Sequence, residues 1–453
     1  MRRLAAFLVL ASLCPHRLPA IPQGEDPALL EAEALLEKKS YKKAEEALRA
    51  IVAAAPANAR AQGDLALALL SQGKTREAVD AARLAAAFAP ETPEARYIYA
   101  LTLKAAGRNV EAARELEKTV ALKPGQATPL RALAEVYAET GDDRAVEVYT
   151  QLIAQEPGVP GDRAALAEVL WVSGKSADGN RMMEEAIAKS GEDRDLRIRY
   201  GRALVEQERF PDAVRELGRA RELGASEPGT LALWANALWS AGDTTAAARA
   251  FGEAIAVAPG DASLRRDAGR LALSLGDGSG ALVYLSEAAR LTPGDAATQL
   301  DLGRAYEAVG QNAEAEQAYR LAASLEPKLG SPHYALGTLL VRTGRREEGQ
   351  QELAAYRTLY ERALRLSEEQ NERSAELGLA WAELNRGKAS DSLARFTSLP
   401  ESPDSLLGRA AALSRLKRHA EAVRVLERAR KLAPDDVRIR TKLALEKSRE
   451  VPS

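Results

Sequence analysis

Glycine returns at a fixed interval along this chain: Gly73, Gly107, Gly141, Gly174, Gly242, Gly276, Gly310 and Gly344. The step is constant to within one position, apart from a double step that passes over Glu208. Proline keeps the same time at Pro56, Pro90, Pro124, Pro157, Pro259, Pro293 and Pro327. Two helix breakers hold a constant phase over so long a stretch only in an array of like units. The period therefore sets the fold class before any motif is read.

From each glycine to the next proline, and from each proline to the next glycine, the apolar residues follow helical spacing. Each unit thus reads as helix, tight turn, helix. Glycine ends the first helix because that position takes left-handed backbone, and proline closes the second because it cannot continue one. Small residues keep the beat as well. Ala78, Ala112, Ala247, Ala281, Ala315 and Ala422 sit five residues into the turn and second helix. Ala66, Ala100, Ala235, Gly269, Gly303 and Gly337 fall seven before the glycine, where two helices must approach closely. Phe251, Leu285, Tyr319 and Leu426 fill a larger slot four residues after the alanine.

A unit of about 34 residues with small residues at places eight, twenty and twenty-seven, a large one at twenty-four and Pro at thirty-two resembles the tetratricopeptide repeat. The best copies run from Pro228 to Leu329, and the match covers nearly all of the chain after Glu25. The Trp common at the family's fourth place is absent throughout. The fifth repeat departs furthest, with Gly179 in an alanine place and Gly191 in a proline place, so opening of the array is expected to begin there. The resemblance implies an all-α, right-handed superhelical solenoid that binds proteins or peptides.

Twelve repeats are expected, starting near residues 25, 59, 93, 127, 160, 194, 228, 262, 296, 330, 373 and 403. Repeats one to nine and the first helix of repeat ten occupy 21–344. The interval from Ala315 to Ala422 exceeds three periods by five positions. The excess falls in 345–372, which reads as an elongated charged helix or a bend. Repeats eleven and twelve follow in 373–436, and 437–453 supplies a capping helix and tail, as a solenoid end requires.

The first twenty residues are a different object. Arg2 and Arg3 precede an apolar run, Leu4 to Leu13, then Pro15, Pro19 and Ala20. This is the pattern of a cleaved export signal, too short to span a membrane. It predicts a periplasmic or secreted protein. Cys14 raises lipid attachment, but Leu13 stands where a bacterial lipoprotein signal has a small residue. Processing leaves no cysteine and, by removing Arg2, Arg3 and Arg17, moves the formal charge from −2 to −5. Disulfides and thiolate chemistry are thereby excluded, and mild acidity gives no footprint for nucleic acid. No second stretch is long and apolar enough to span a membrane.

Two motifs imitate nucleotide sites. Gly73-Lys74-Thr75 ends a relaxed P-loop pattern, and Gly276 to Ala281 resembles a dinucleotide fingerprint with Asp295 downstream. Both chemistries need a strand feeding a helix, and both segments sit at helix–helix turns in phase with the array. His333 and His419 lie in different repeats without phased ligands, and His333 is expected to pack against its neighbour. No cofactor, metal or catalytic residue is expected, and the chain reads as non-enzymatic.

In the resembling family the first helices line the concave face. That register puts Arg202, Asn236, Arg270 and Arg304 at the ninth place of repeats six to nine, one period apart and so in line. Arg199, Arg266, Asp267 and Asp301 lie one helical turn away. Trp171 and Trp239 stand at place twelve as flat contacts. Guanidinium groups suit carboxylates, and an Asn amide grips an extended backbone. The stripe predicts a groove for a protein or an extended acidic peptide. The competing reading pairs Arg270 internally with Asp267 or Asp301. Earlier repeats show Leu67, Leu101, Glu135 and Glu168 at the ninth place. The Lys/Asn carboxylate clamp that binds chaperone tails is not present. Two other roles fit such an array: a structural subunit of an envelope secretion or polysaccharide-export assembly, and a module presenting substrates to an enzyme.

Overall fold

A computed structural model describes residues 26–434 and 436–450. The expected export signal, with Arg2, Arg3 and Cys14, lies outside the described residues. All regular structure among those residues is helical. First helices begin at Ala59, Pro93, Ala127, Pro160, Arg194, Pro228, Ala262, Ala296, Gly330 and Pro403, the residues named from the period. The described residues up to Lys189, with those from Lys417 onward, form one compact body, and Ser190–Leu416 form the other. Within each body a first helix recurrently packs on its own second helix, and the second helix on the next repeat.

The phased residues make the core. Ala78, Ala112, Ala247, Ala281, Ala315 and Ala422 have no exposed surface, nor have Phe251, Leu285, Tyr319 and Leu426. A Cβ added to Gly269 would stand 2.5 Å from Leu285 Cγ, so the two helices meet only because that side chain is missing. The turns repeat one geometry. Gly310 has φ 80°, its N–H donates to Glu307 O at 3.0 Å, and Gln311 N–H donates to Tyr306 O at 2.9 Å. That bonding takes up carbonyls the helix end leaves unpaired. Glu208, where the glycine beat is missed, keeps the same backbone at φ 57°.

The fourth place, which lacks the family's Trp, carries a polar clamp instead. Gln62 donates to Pro56 O at 3.0 Å, Arg96 to Pro90 O at 2.6 Å, Arg163 to Pro157 O at 2.8 Å and Gln299 to Pro293 O at 3.2 Å. Each ties a first helix to the end of the preceding repeat. The same place reaches the second helix of its own repeat through Arg96–Glu115 at 2.9 Å and Arg197–Glu216 at 2.8 Å. His333 does so with Glu352 at 2.7 Å, and Glu376–Arg395 repeats the pair with its charges exchanged.

One expectation needs revision. The excess residues do not form a separate element ending at 372. Arg346–Asn385 is one continuous 40-residue helix that takes in the second helix of repeat ten and the first of repeat eleven. No Pro or Gly falls between Gly349 and Gly378, so nothing ends the helix between the two. Its residues 360–375 are all exposed. In repeat five, Gly179 is not a loosened alanine place. A Cβ there would meet Trp171 Cδ1 at 2.5 Å, and Trp171 Nε1 donates to Asn180 Oδ1 at 2.9 Å. Trp171 thus packs inside its own repeat.

Candidate functional site in repeats six to nine

Arg202, Asn236, Arg270 and Arg304 sit on the helices Arg194–Glu206, Pro228–Ser240, Ala262–Ser274 and Ala296–Ala308. The last two of these first helices lie against each other. Arg202 is exposed and makes no ion pair among the described residues, while Arg199 beside it is half-buried. Asn236 is half-buried, and its amide finds no partner among the described residues. Trp239 packs its ring on the Ala235, Leu238 and Phe251 cluster and keeps a partly open face. Arg270 Cζ lies 5.8 Å from the centroid of that ring, within cation–π range.

Asp301 is the hub of the line. It is 6% exposed, Arg304 Nη1 donates to its Oδ1 at 2.9 Å, and Arg270 Nε lies 3.9 Å from its Oδ2. Arg270 Nη1 also lies 3.7 Å from Asp267 Oδ1. Burial pushes the Asp301 carboxyl above its ordinary value, although Arg304, Arg270 and Arg266 all pull it down. Arg266 turns to Asp295 at 3.1 Å, and Asp295 also caps its helix by accepting from Thr298 N–H at 3.1 Å. The structure therefore brings Arg270 and Arg304 together around Asp301 and sets Arg270 beside Trp239. Arg266 is drawn to the next cap, and Arg202 stays open.

Pairing does not exhaust the two arginines. The side chains of Arg270 and Arg304 are 49% and 50% exposed, and each guanidinium has five N–H groups. In the other body the inner residues differ. Leu67, Tyr97, Ile98 and Leu101 line a narrow apolar cleft with Pro93 and Pro129, and Glu135 accepts from Lys104 at 2.7 Å.

The nucleotide-like motifs resolve as structural features. Lys74 contacts Glu45 at 2.7 Å, which, with Arg49 and Gln72, holds that carboxyl down to about 2 despite its burial. Asp277 caps its helix by accepting from Gly280 N–H at 2.8 Å. Among the described residues no cluster of His, Cys, Asp or Glu is arranged to hold a metal, and no helix is long and apolar enough to cross a membrane. Glu33 and Asp64, in repeats one and two, are among the paired side chains that escaped the sequence reading. Laying places six and nine on those repeats would have found them.

A tetratricopeptide-repeat model matches residues 29–93, 64–127, 164–228, 233–296 and 266–332, and a second matches 403–445. No curated protein matches this sequence. Several solved structures are similar. The C-terminal part of a TPR repeat-containing protein from Cytophaga hutchinsonii is 17% identical, with 53% of this chain and 99% of that one covered, at a TM-score of 0.47. MamA from Desulfovibrio magneticus RS-1 is 21% identical, with coverage of 37% and 95% and a TM-score of 0.36. YrrB, described as a TPR protein with an unusual peptide-binding site, is 16% identical, with coverage of 42% and 98% and a TM-score of 0.38.

Proposed function

Since this chain belongs to the tetratricopeptide repeat family, we propose that it is a non-enzymatic scaffold for protein–protein interaction, which holds an extended acidic peptide along repeats six to nine. The half-exposed Arg270 and Arg304, at the same repeat place as Asn236, with Trp239 beside Arg270, and carrying unused donors, are the observation behind this reading. Arg202 extends the basic stripe by one repeat. Trp239 offers the flat apolar contact that anchors peptide side chains.

A peptide-display selection against residues 21–453 tests the proposal. Enrichment of Asp- and Glu-rich sequences is expected. Charge-assisted contacts contribute about 1.5–3 kcal/mol each, so Arg270→Ala with Arg304→Ala weakens a selected peptide by well over tenfold. Added salt weakens it too, because the contacts are partly exposed. Selection of uncharged peptides, or equal affinity in the double variant, would refute the acidic ligand.

We also place the protein outside the cytoplasm, on the Arg–apolar–Pro/Ala start. Intact mass of the native protein beginning near Ile21 is the expected result. Recovery of uncleaved Met1 from soluble cytoplasm would count against it.

A further inference from the structure

The first helices of repeats one and two, Pro27–Glu37 and Ala59–Ser71, meet through two carboxyl groups. Glu33 holds the ninth place of repeat one and Asp64 the sixth place of repeat two. These are the places of Arg270 and Asp301 in repeats eight and nine. Glu33 Oε1 accepts from Arg60 Nε at 2.6 Å. Glu33 Oε2 and Asp64 Oδ2 are both shut away from solvent and meet no hydrogen-bond donor. Burial, then the charge of Glu33, push the Asp64 carboxyl up to about 7, against the pull of Arg60. Several other charged side chains on the surrounding helices are paired elsewhere. Glu45 pairs with Lys74 and Arg49, Arg96 with Glu115, and Lys104 with Glu135.

An ionised carboxylate only accepts hydrogen bonds, so two such oxygens buried together need a proton or a cation. Between repeats eight and nine the chain supplies the cation. Arg304, three residues along the same helix, and Arg270, from the preceding repeat, both reach Asp301. The corresponding places in repeats one and two hold Leu67 and Glu33. This joint keeps the acceptor and omits both donors.

We propose that Glu33 and Asp64 form a site for an arginine or lysine side chain of a partner protein, which replaces the proton the pair holds when empty. Asp64 keeps some exposed surface although its Oδ2 does not, and half-buried Leu67 offers apolar surface to the methylene stem. On binding, the O–H bond of the carboxylic acid breaks and its proton passes to solvent. The carboxylate left behind accepts N–H bonds from the incoming cation. Binding therefore tightens as pH rises through neutrality. The site does not depend on the basic stripe of repeats six to nine.

The test uses acetyl-Gly-Arg-Gly-amide, followed by ligand-observed NMR on the full chain at pH 6 and pH 8. The same peptide with citrulline for arginine is the neutral control. The arginine peptide is expected to bind about tenfold more tightly at pH 8, the change in ionised fraction across a group titrating near neutrality. The citrulline peptide gives no signal. Asp64→Asn removes binding, and if that variant fails to fold, Glu33→Gln weakens it. The double variant Arg270→Ala, Arg304→Ala binds the peptide as the wild type does, which separates this site from the basic stripe. Absence of binding at pH 8, equal binding by Asp64→Asn, or tighter binding at pH 6 overturns the proposal.

Discussion

Asp64 and Asp301 occupy the same place in their repeats, each beside the ninth place of the repeat before, yet they live under opposite fields. Asp301 is nearly closed to solvent and has Arg304 and Arg270 within reach. Asp64 is more open but faces Glu33, and its carboxyl is pushed up to about 7. Burial raises both groups. What separates them is the charge at the ninth place of the preceding repeat, Glu33 in one joint and Arg270 in the other. A solenoid repeats its backbone faithfully, so two side chains at fixed places change a joint from self-satisfied to one that needs a proton or a ligand.

Removing the arginines should break the contrast most strongly. Arg270→Ala with Arg304→Ala leaves Asp301 buried without its nearest cations. Losing one side of a buried pair costs about 3–5 kcal/mol, and because both arginines are half exposed, about 2 kcal/mol is expected here, read as a lower denaturation midpoint. Adding Asp301→Asn to the double variant should recover most of the loss. An unchanged midpoint would show that the arginines serve the groove alone.

The next effect has the opposite sign. The folded chain keeps the Asp64 proton to about pH 7, whereas an unfolded aspartate releases it near 3.8. Between those values the folded state holds more protons, so stability falls as pH rises and then levels off. Asp64→Asn is therefore expected to stabilise at pH 8 and to change little near pH 4. The full shift corresponds to roughly 4 kcal/mol, and residual contact with water reduces the expectation to about 1–2 kcal/mol. Thermal melts of wild type and variant at both pH values decide this, and a gain that is equal at the two would contradict it.

Leu67→Arg converts one joint toward the other. It places a guanidinium three residues from Asp64, as Arg304 stands to Asp301. The Asp64 carboxyl should then titrate at least one unit lower, the usual effect of a close opposite charge, and acetyl-Gly-Arg-Gly-amide should no longer bind. Carbon-detected NMR of the carboxyl gives the titration directly. The smallest effect calibrates the rest. Glu208→Gly relieves left-handed backbone at φ 57° away from the charges of both joints. It should stabilise by about 0.5–1 kcal/mol, with no pH dependence between pH 4 and pH 8.

The fold was legible because its signals are local and repeated. A turn that needs left-handed backbone, a helix pair that needs a small residue and a core slot that needs a large one each leave a mark once per period. Placing Arg202, Asn236, Arg270 and Arg304 in one line followed from the same arithmetic. So did the possibility that Arg270 turns to Asp267 or Asp301. The departure of Arg266 to Asp295 did not follow, because Asp295 belongs to the cap of the next helix rather than to any inner place. Nor did the folding of Trp171 over Gly179.

By itself, then, the sequence determined the helix pairs, their turns and the residues that fill the core, since these depend on backbone propensity and on periodic burial. Tertiary structure decided the electrostatics. Whether a carboxylate stands at about 7 or is satisfied by arginine depends on how deeply it is buried and on what the preceding repeat presents to it, and neither is a property of its own repeat. It also decided that Arg346–Asn385 is one helix. Absence of Gly and Pro from its exposed middle permits continuity, and its two ends pack on different repeats.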